Sequence, residues 1–158
     1  MLRTKLGMVV IHNKVVVIGP ADSGKTTLIG ALLRKPLGPV RPTVQAQVVS
    51  GRGQGETHLY LVDCGGNVFS HSCGKPQIAD ANYALLVFDA SSKDSFEKLK
   101  KIVTTLGVAG SKCVLVGMKS DLDRAIAGPT DAEIAAANLG RYFAVNQHNV
   151  TELANFLN

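Results

Sequence analysis

One short segment limits the possible folds of this chain more than any other. Residues 19–26 have the sequence GPADSGKT, with glycine at the first and sixth positions and a lysine and a threonine at the end. Before it, residues 14–18 form a short and mostly β-branched run, which predicts a buried strand. After it, residues 27–34 have the apolar spacing of a helix. A strand, a glycine-containing turn and a helix in this order are the setting of a phosphate-binding loop, and they argue against a tight turn with a chance lysine.

The residue types of this segment fit the chemistry of phosphate. Gly19 and Gly24 allow the backbone to curl so that successive N–H groups converge on phosphate oxygens. The start of the following helix adds partial positive charge at the same place. We expect Lys25 to reach the β- and γ-phosphates of a nucleotide and the Thr26 hydroxyl to coordinate Mg²⁺. The residues of this segment that we predict to bind the nucleotide are Asp22, Ser23, Gly24, Lys25, Thr26 and Thr27.

Composition places the chain among ordinary globular domains. It has 158 residues, of which 46% are hydrophobic, and we interpret residues 1–158 as a single domain. No apolar run approaches the roughly 20 residues that are needed to cross a bilayer. Leu2 leaves no acceptor glycine for myristoylation, and residues 156–158 contain no cysteine for prenylation. We therefore predict a cytoplasmic protein without a direct membrane anchor.

The cysteines and the net charge weigh against two other kinds of site. Three scattered cysteines suit a reducing compartment. Cys64, His71 and Cys73 are a conceivable set of metal ligands, but they lack a second closely spaced pair. The net charge of +5 is mild, and the basic residues are not clustered with aromatic ones. We predict no nucleic-acid partner.

Hydrophobic patterning predicts an α/β fold. Gly51, Gly53 and Gly55 separate two strand-like runs, which predicts a hairpin. Strands that are apolar throughout are typical of a sheet that helices cover on both faces. We therefore predict a three-layer domain with a mixed, mostly parallel, six-stranded sheet. The predicted strands span residues 8–18, 44–49, 58–63, 83–89, 113–119 and 141–145. The predicted helices span residues 27–34, 94–106 and 151–157, and a further helix is capped by Thr130 or Asp131 and runs through Leu139.

A second group of residues suits a γ-phosphate and a metal ion. Asp63 ends a predicted strand, and Gly66 follows three residues later. An aspartate in this setting can hold Mg²⁺ through a water molecule, and the glycine N–H can bond to the γ-phosphate. Thr43 lies in a proline-rich loop and offers a second hydroxyl. The predicted Mg²⁺ ligands are therefore Thr26, Thr43 and, through water, Asp63.

A third group suits recognition of the base. Lys119 and Asp121 follow a predicted buried strand. The Asp121 carboxylate can accept hydrogen bonds from both N1–H and N2–H₂ of guanine, which adenine lacks, while the Lys119 stem covers the ring face. Ala144 closes the last predicted strand, and its backbone N–H can bond to guanine O6. We predict Lys119, Asp121, Ala144 and Val145 as cofactor-binding residues.

With these motifs in order, the chain resembles the Ras-like small GTPases over essentially its whole length. Residues 81–89, followed by residues 95–97, are similar to the corresponding segment of Ras and Rab proteins. The resemblance implies a P-loop NTPase fold, the Ras-like G domain, which binds GTP or GDP with Mg²⁺. An adenine nucleotide kinase would need a lid and a second substrate site, for which these loops leave little room.

Within that superfamily, the chain looks like the Rab-like GTPase subunit of intraflagellar transport complex B. The likeness lies in residues 19–28, 42–45, 62–67, 69–73 and 80–81. It implies an adaptor that binds the coiled-coil core subunits of complex B in the cilium or flagellum. Bound GTP would order the loops around Thr43 and Gly66 into a docking surface.

Two positions depart from the pattern of the small GTPases. Met118 stands where they carry an asparagine that bonds base N7 and braces the phosphate loop, and Asn67 stands where they carry a glutamine that orients the attacking water. Asparagine is one methylene shorter, so we expect very slow hydrolysis and assign no catalytic residue. The predicted function is a GTP-binding switch with weak or no intrinsic hydrolysis. The alternatives are a Rab- or Arf-like traffic GTPase that turns over and a nucleotide-free structural pseudo-GTPase.

Overall fold

The computed structural model describes residues 2–5, 8–33, 47–52, 57–63, 75–107, 112–119, 128–145 and 150–157. Strands and helices alternate within these ranges, as an α/β fold requires. The elements are β1 (Leu2–Lys5), β2 (Met8–Ile18), α1 (Lys25–Leu33), β3 (Gln47–Arg52), β4 (Thr57–Asp63), α2 (Lys75–Asp80), β5 (Tyr83–Asp89), α3 (Lys93–Leu106), β6 (Cys113–Met118), α4 (Asp131–Ala137), β7 (Arg141–Ala144) and α5 (Thr151–Leu157).

The sheet is organised around β2. Its strands lie in the order β3-β4-β2-β5-β6-β7, and β1 pairs with β2 outside this path. Strands β4, β2, β5, β6 and β7 are parallel to one another. Strand β3 runs antiparallel to β4, which is the predicted hairpin. The predictions of an α/β fold and of a mixed, mostly parallel sheet are therefore confirmed.

The described part of the sheet has seven strands, whereas the sequence predicted six. The additional strand is β1, which pairs antiparallel with residues Met8 to Val10 of β2. β2 is long enough to change partners, because β4 pairs with it from Ile11 to Val17 and β5 from Val15 to Ile18. Residues 2–5 carry no strand pattern of their own, so their pairing follows from the length of β2.

Alternate residues of β2 separate the core into two layers. Val16 and Ile18 pack on one side with buried residues of α2, α3 and α4. Val15 and Val17 pack on the other side with buried residues of α1 and α5. This alternation is the two-residue period of a strand, and it confirms the predicted arrangement of three layers.

The helices differ from the predictions mainly at their ends. α4 begins after Thr130, whose hydroxyl accepts a hydrogen bond from the backbone N–H of Glu133 at 3.1 Å. It ends at Ala137 and not at Leu139, because Asn138 adopts a left-handed conformation with φ 50°. The sequence did not predict α2, since six residues are too few for a helical pattern. Within the described ranges, every helix is too short or too polar to cross a membrane.

The carboxyl ends of the parallel strands lie at one edge of the sheet. From β2 the chain continues to β3 and β4 on one side, while β5 lies on the other side of β2. Ligands of α/β sheets bind where the strand order reverses in this way. Residues 19–24 join the carboxyl end of β2 to α1 and therefore lie at this position.

Candidate functional site

The turn between β2 and α1 has a backbone that requires glycine at two positions. A Cβ on Gly19 would overlap the carbonyl oxygen of Val87 in the neighbouring β5. Gly24 has φ 98°, and a Cβ there would lie 3.3 Å from the Met118 side chain. Asp22 also has a left-handed backbone, with φ 62°. The loop is therefore held close to β5 and β6 in a conformation that side chains at Gly19 and Gly24 would disturb.

The first turn of α1 lies next to this loop and carries no negatively charged residue. It contains Lys25, Thr26 and Thr27, and it has no acidic residue. The carbonyl oxygen of Gly24 accepts the backbone N–H of Leu28 at 2.9 Å, so the helical ladder begins at the end of the loop. The positive end of the helix dipole therefore lies at the loop, where it favours an anion.

The ammonium group of Lys25 lies within the loop that precedes it. Lys25 is only 6% exposed. Its Nζ donates hydrogen bonds to the carbonyl oxygens of Gly19 at 3.0 Å and Pro20 at 2.8 Å. This arrangement brings a full positive charge to the place where the helix dipole is also positive, which suits a bound phosphate group.

Ser23 provides an independent test of whether this loop suits a ligand. Its side chain is fully buried. Among the side chains that the structure describes, its Oγ is the buried polar atom without a hydrogen-bond partner. A buried hydroxyl is normally satisfied by protein, water or ligand. The unused bonding capacity of Ser23, together with the charge of Lys25 and the two required glycines, fits a loop that holds a phosphate-bearing ligand.

Lys119 joins the base-recognition segment to this loop. It follows β6 directly and has a left-handed backbone with φ 59°. Its Nζ donates to the carbonyl oxygen of Asp22 at 3.3 Å and to Oδ2 of Asp89 at 3.0 Å. The structure therefore places one predicted base-binding residue in contact with the predicted phosphate-binding loop.

Asp89 is held as a carboxylate at the end of β5. Its Oδ1 accepts hydrogen bonds from both the backbone N–H and the hydroxyl of Ser91, at 2.9 and 2.5 Å. Partial burial by itself would raise the pKa of Asp89, but the hydrogen bonds from Ser91 and the ammonium of Lys119 outweigh it and lower the pKa below its ordinary value. Asp89 therefore stays negatively charged beside Lys119 at neutral pH.

Asp89 is not among the site residues predicted from the sequence. The available signal was a carboxylate at the end of the apolar run 83–89, where parallel strands present their ligand-binding residues. Its partner Lys119 lies 30 residues further along the chain, so the contact has no local sequence signature.

Met118 is buried beneath the site and does not face solvent. It is 2% exposed, and its side chain packs against Gly24. The position that carries an asparagine in the resembling GTPases is thus filled by an apolar side chain that supports the loop by packing.

The structure describes the backbone of Ala144 and Val145, the last two residues predicted to bind the cofactor. The backbone N–H of Val145 donates to the carbonyl oxygen of Gly117 at 2.9 Å, and the Val145 side chain is buried. This N–H is therefore occupied within the sheet and does not bind a base. Because successive N–H groups of a strand point to opposite edges, the N–H of Ala144 points away from β6. That leaves the contact between Ala144 and guanine O6 as a prediction from sequence.

The structure describes only some of the residues predicted for the metal and the γ-phosphate. Asp63 is the last residue of β4, and its backbone is the register partner of Val17, next to the end of β2. Thr26 lies in the first turn of α1. The predictions for Thr43, Gly66, Asn67 and Asp121 fall outside the described residues, as does the alternative metal set of Cys64, His71 and Cys73.

These features together define a nucleotide-binding domain with a phosphate loop. A family model described as "Ras family" matches residues 14–156. The chain therefore belongs to the Ras family of small GTPases, whose members bind GTP or GDP with Mg²⁺.

Individual relatives agree with this assignment. The chain is 32% identical over 122 residues to the Ras-related protein Rab-21 of Geodia cydonium. The match covers 72% of this chain and 53% of that protein. The chain is 31% identical over 118 residues to Rab-21 of Mus musculus and of Homo sapiens, covering 70% of this chain in each case, and 53% and 52% of those proteins. The chain thus spans about half the length of the curated relatives it matches. It is a small GTPase of the Ras and Rab type.

Proposed function

We propose that this chain is a GTP-dependent switch that hydrolyses GTP slowly and binds partner proteins in its GTP-bound form. One observation carries the assignment to nucleotide binding: Lys119 contacts both the phosphate loop, at Asp22, and the end of β5, at Asp89. This contact supports a single site that includes both the proposed phosphate-binding and the proposed base-binding segment. Family membership supports GTP or GDP with Mg²⁺ as its ligands.

In this proposal the phosphate groups lie against residues 19–27. Lys25 and the start of α1 would supply positive charge, and Ser23 Oγ would use its free bonding capacity there or through water. Mg²⁺, when bound, would neutralise part of the charge on the phosphate oxygens. Thr26, Thr43 and, through water, Asp63 are the residues that would hold it.

The base would lie at the carboxyl end of β6. Lys119 is fixed there by its two acceptors, and its aliphatic stem would cover one face of the ring. Asp121 would select guanine, because its carboxylate can accept two hydrogen bonds that adenine does not offer. Ala144 is the proposed donor to guanine O6.

Slow hydrolysis follows from the side chain at position 67. Catalysis of phosphoryl transfer consists mostly of positioning the water and stabilising charge. Asn67 is one methylene shorter than the glutamine that does this in the resembling enzymes, so we propose that it does not reach the water. GTP would then persist on the protein and keep the loops around Thr43 and Gly66 ordered for docking.

A single-turnover assay tests this function. The protein is loaded with GTP and Mg²⁺, and the remaining GTP is followed by chromatography without any partner. We expect loss of GTP to be slower than the roughly 4 × 10⁻⁴ s⁻¹ of unassisted Ras. The matched variant Asn67→Gln should hydrolyse GTP faster. Rapid loss of GTP from the unaltered protein would contradict the slow switch.

We also propose that the partners are the coiled-coil core subunits of intraflagellar transport complex B, in the cilium or flagellum. The support is the likeness of residues 62–67 and 69–73 to the GTPase subunit of that complex. The test is capture of those subunits by the protein loaded with GTP or with GDP, together with the location of a tagged full-length protein. Equal capture in both states would contradict the switch, and exclusion from the flagellum would contradict this partner.

Two alternatives each have one observation in their favour. The similarity to Rab-21 favours a traffic GTPase that turns over, and the buried Met118 favours a scaffold without nucleotide. Denaturing the purified protein and separating the released nucleotides distinguishes the scaffold from the switch. The scaffold is favoured if no nucleotide is released and GTP causes no thermal shift.

A further inference from the structure

We propose that Asp89 is a positioning residue of the nucleotide site, which holds the Lys119 side chain against the phosphate loop. This role presupposes that the site binds a guanine nucleotide, as proposed above. Asp89 would act on the nucleotide only through Lys119.

The contacts of Lys119 connect three segments that are distant in sequence. Asp89 is the last residue of β5, and its register partner in β6 is Met118, directly before Lys119. One ammonium group reaches Oδ2 of Asp89 at 3.0 Å and the carbonyl oxygen of Asp22 at 3.3 Å. The ends of β5 and β6 and the phosphate loop are thereby joined at a single atom.

In the ion pair of Asp89 and Lys119, the Asp89 side chain is the more firmly held of the two. Its Oδ1 is held by Ser91, and its backbone N–H donates to Ser95 Oγ at 2.8 Å in the first turn of α3. Its side chain is 16% exposed, whereas the Lys119 side chain is 42% exposed. Ordering a lysine side chain costs conformational entropy. A carboxylate that is already fixed provides the anchor that restricts the lysine.

Loss of the anchor should act on the nucleotide in two places. The Lys119 stem would no longer be held in one position at the base, and the contact to the Asp22 carbonyl would weaken. Asp22 lies in a left-handed conformation, so the loop depends on its surroundings to keep that shape. Coupling within such contact networks changes binding by about 2- to 150-fold. We expect Asp89→Asn to speed release of GDP about tenfold.

The experiment is a double-mutant cycle on release of a fluorescent GDP in the presence of Mg²⁺. Asp89→Asn keeps the size of the side chain and removes its charge. It is measured in the unaltered protein and in a Lys119→Met background. We expect Asp89→Asn to speed release of GDP in the otherwise unaltered protein and to have no further effect on release in the Lys119→Met background. Thr104→Ala, which removes an exposed hydroxyl contact to the carbonyl oxygen of Lys100 within α3, should leave release unchanged.

Other outcomes would overturn this role. Unchanged release in Asp89→Asn would show that Lys119 needs no anchor. Equal acceleration in both backgrounds would show that Asp89 acts by shaping the turn before α3. Acceleration by Thr104→Ala would show that general destabilisation is enough to speed release. Asp89→Glu is the second variant if Asp89→Asn unfolds, and it should retain slow release that depends on Lys119. If the unaltered protein binds no guanine nucleotide, the proposed function itself fails, which is distinguishable from all of these results.

Discussion

The side chain of Met118 packs directly against Gly24. A Cβ on Gly24 would lie 3.3 Å from both Cβ and Cγ of Met118 and 3.5 Å from its Cε. The end of β6 therefore supports the phosphate loop through a close apolar contact. The resembling GTPases carry an asparagine at this position, so the same structural task is performed here by packing.

Replacing Met118 by asparagine should separate the stability of the protein from its affinity for nucleotide. An amide buried without a full set of partners destabilises a fold by about 1–3 kcal/mol. We therefore expect Met118→Asn to lower the free energy of unfolding in the absence of nucleotide and to strengthen GDP binding. Urea unfolding and displacement of fluorescent GDP measure the two effects.

Met118→Leu is the matched control, because it keeps an apolar side chain of similar volume. Met118→Leu should lower the free energy of unfolding by less than about 1.5 kcal/mol and leave GDP binding unchanged. If Met118→Asn binds GDP no more tightly than Met118→Leu, the apolar side chain is not what limits affinity.

Gly24→Ala should strain the loop in two separable ways. A non-glycine residue at φ 98° costs about 1–3 kcal/mol, and the new methyl group also presses on Met118. We expect a lower melting temperature and weaker GDP binding. Adding Met118→Ala removes the contacts with Cγ and Cε and leaves the contact with Cβ and the backbone strain, so the double variant should recover GDP binding only in part. Complete recovery would show that backbone strain contributes nothing.

Lys25→Met should weaken nucleotide binding while the fold is kept. The charged hydrogen bonds of a lysine are worth about 1.5–3 kcal/mol, which corresponds to about 10- to 150-fold in affinity. Lys112→Met is the matched control, because Lys112 Nζ also donates to a backbone carbonyl oxygen, that of Ile78 at 2.6 Å, away from the loop. Isothermal titration with GDP measures both variants. An equal loss of GDP affinity in Lys25→Met and Lys112→Met would point to general destabilisation of the protein.

Asp89 should make stability depend on pH in the acid range. Its pKa is lower in the folded protein than the ordinary value of 3.8. As pH falls, the unfolded chain therefore takes up the proton before the folded protein does. The contribution of Asp89 to the free energy of unfolding is fully present above pH 3.8, and it is lost as the pH falls through the lower pKa of the folded protein. We expect the difference in melting temperature between the unaltered protein and Asp89→Asn to be constant near neutral pH and to shrink in this acid window. A difference that grows on acidification would contradict the lowered pKa.

The sequence predicted those parts of the site that depend on neighbours in the chain. The loop from Gly19 to Lys25 needs only a strand before it and a helix after it, and both are visible as local patterns. The three layers followed from runs of apolar residues, because a strand that is apolar on both faces has to be covered twice.

Contacts between distant segments could not be predicted in this way. Lys119 and Asp22 are 97 residues apart, and the sheet order β2-β5-β6 brings them together. β1 likewise forms because β2 extends beyond its other partners. The hydrogen bond from the N–H of Val145 to Gly117 is a further contact of this kind, because it depends on the register of β7 on β6.

The pairing of β2 also bears on how a nucleotide leaves. Val15, Val16 and Val17 are fully buried and hydrogen-bonded to strands on both edges, so we expect their amide protons to exchange with solvent only in global unfolding. The loop at Gly19 follows directly after this strand. Release of GDP should therefore leave hydrogen exchange in β2 unchanged, and the fluctuations that free the nucleotide should arise on the other sides of the site.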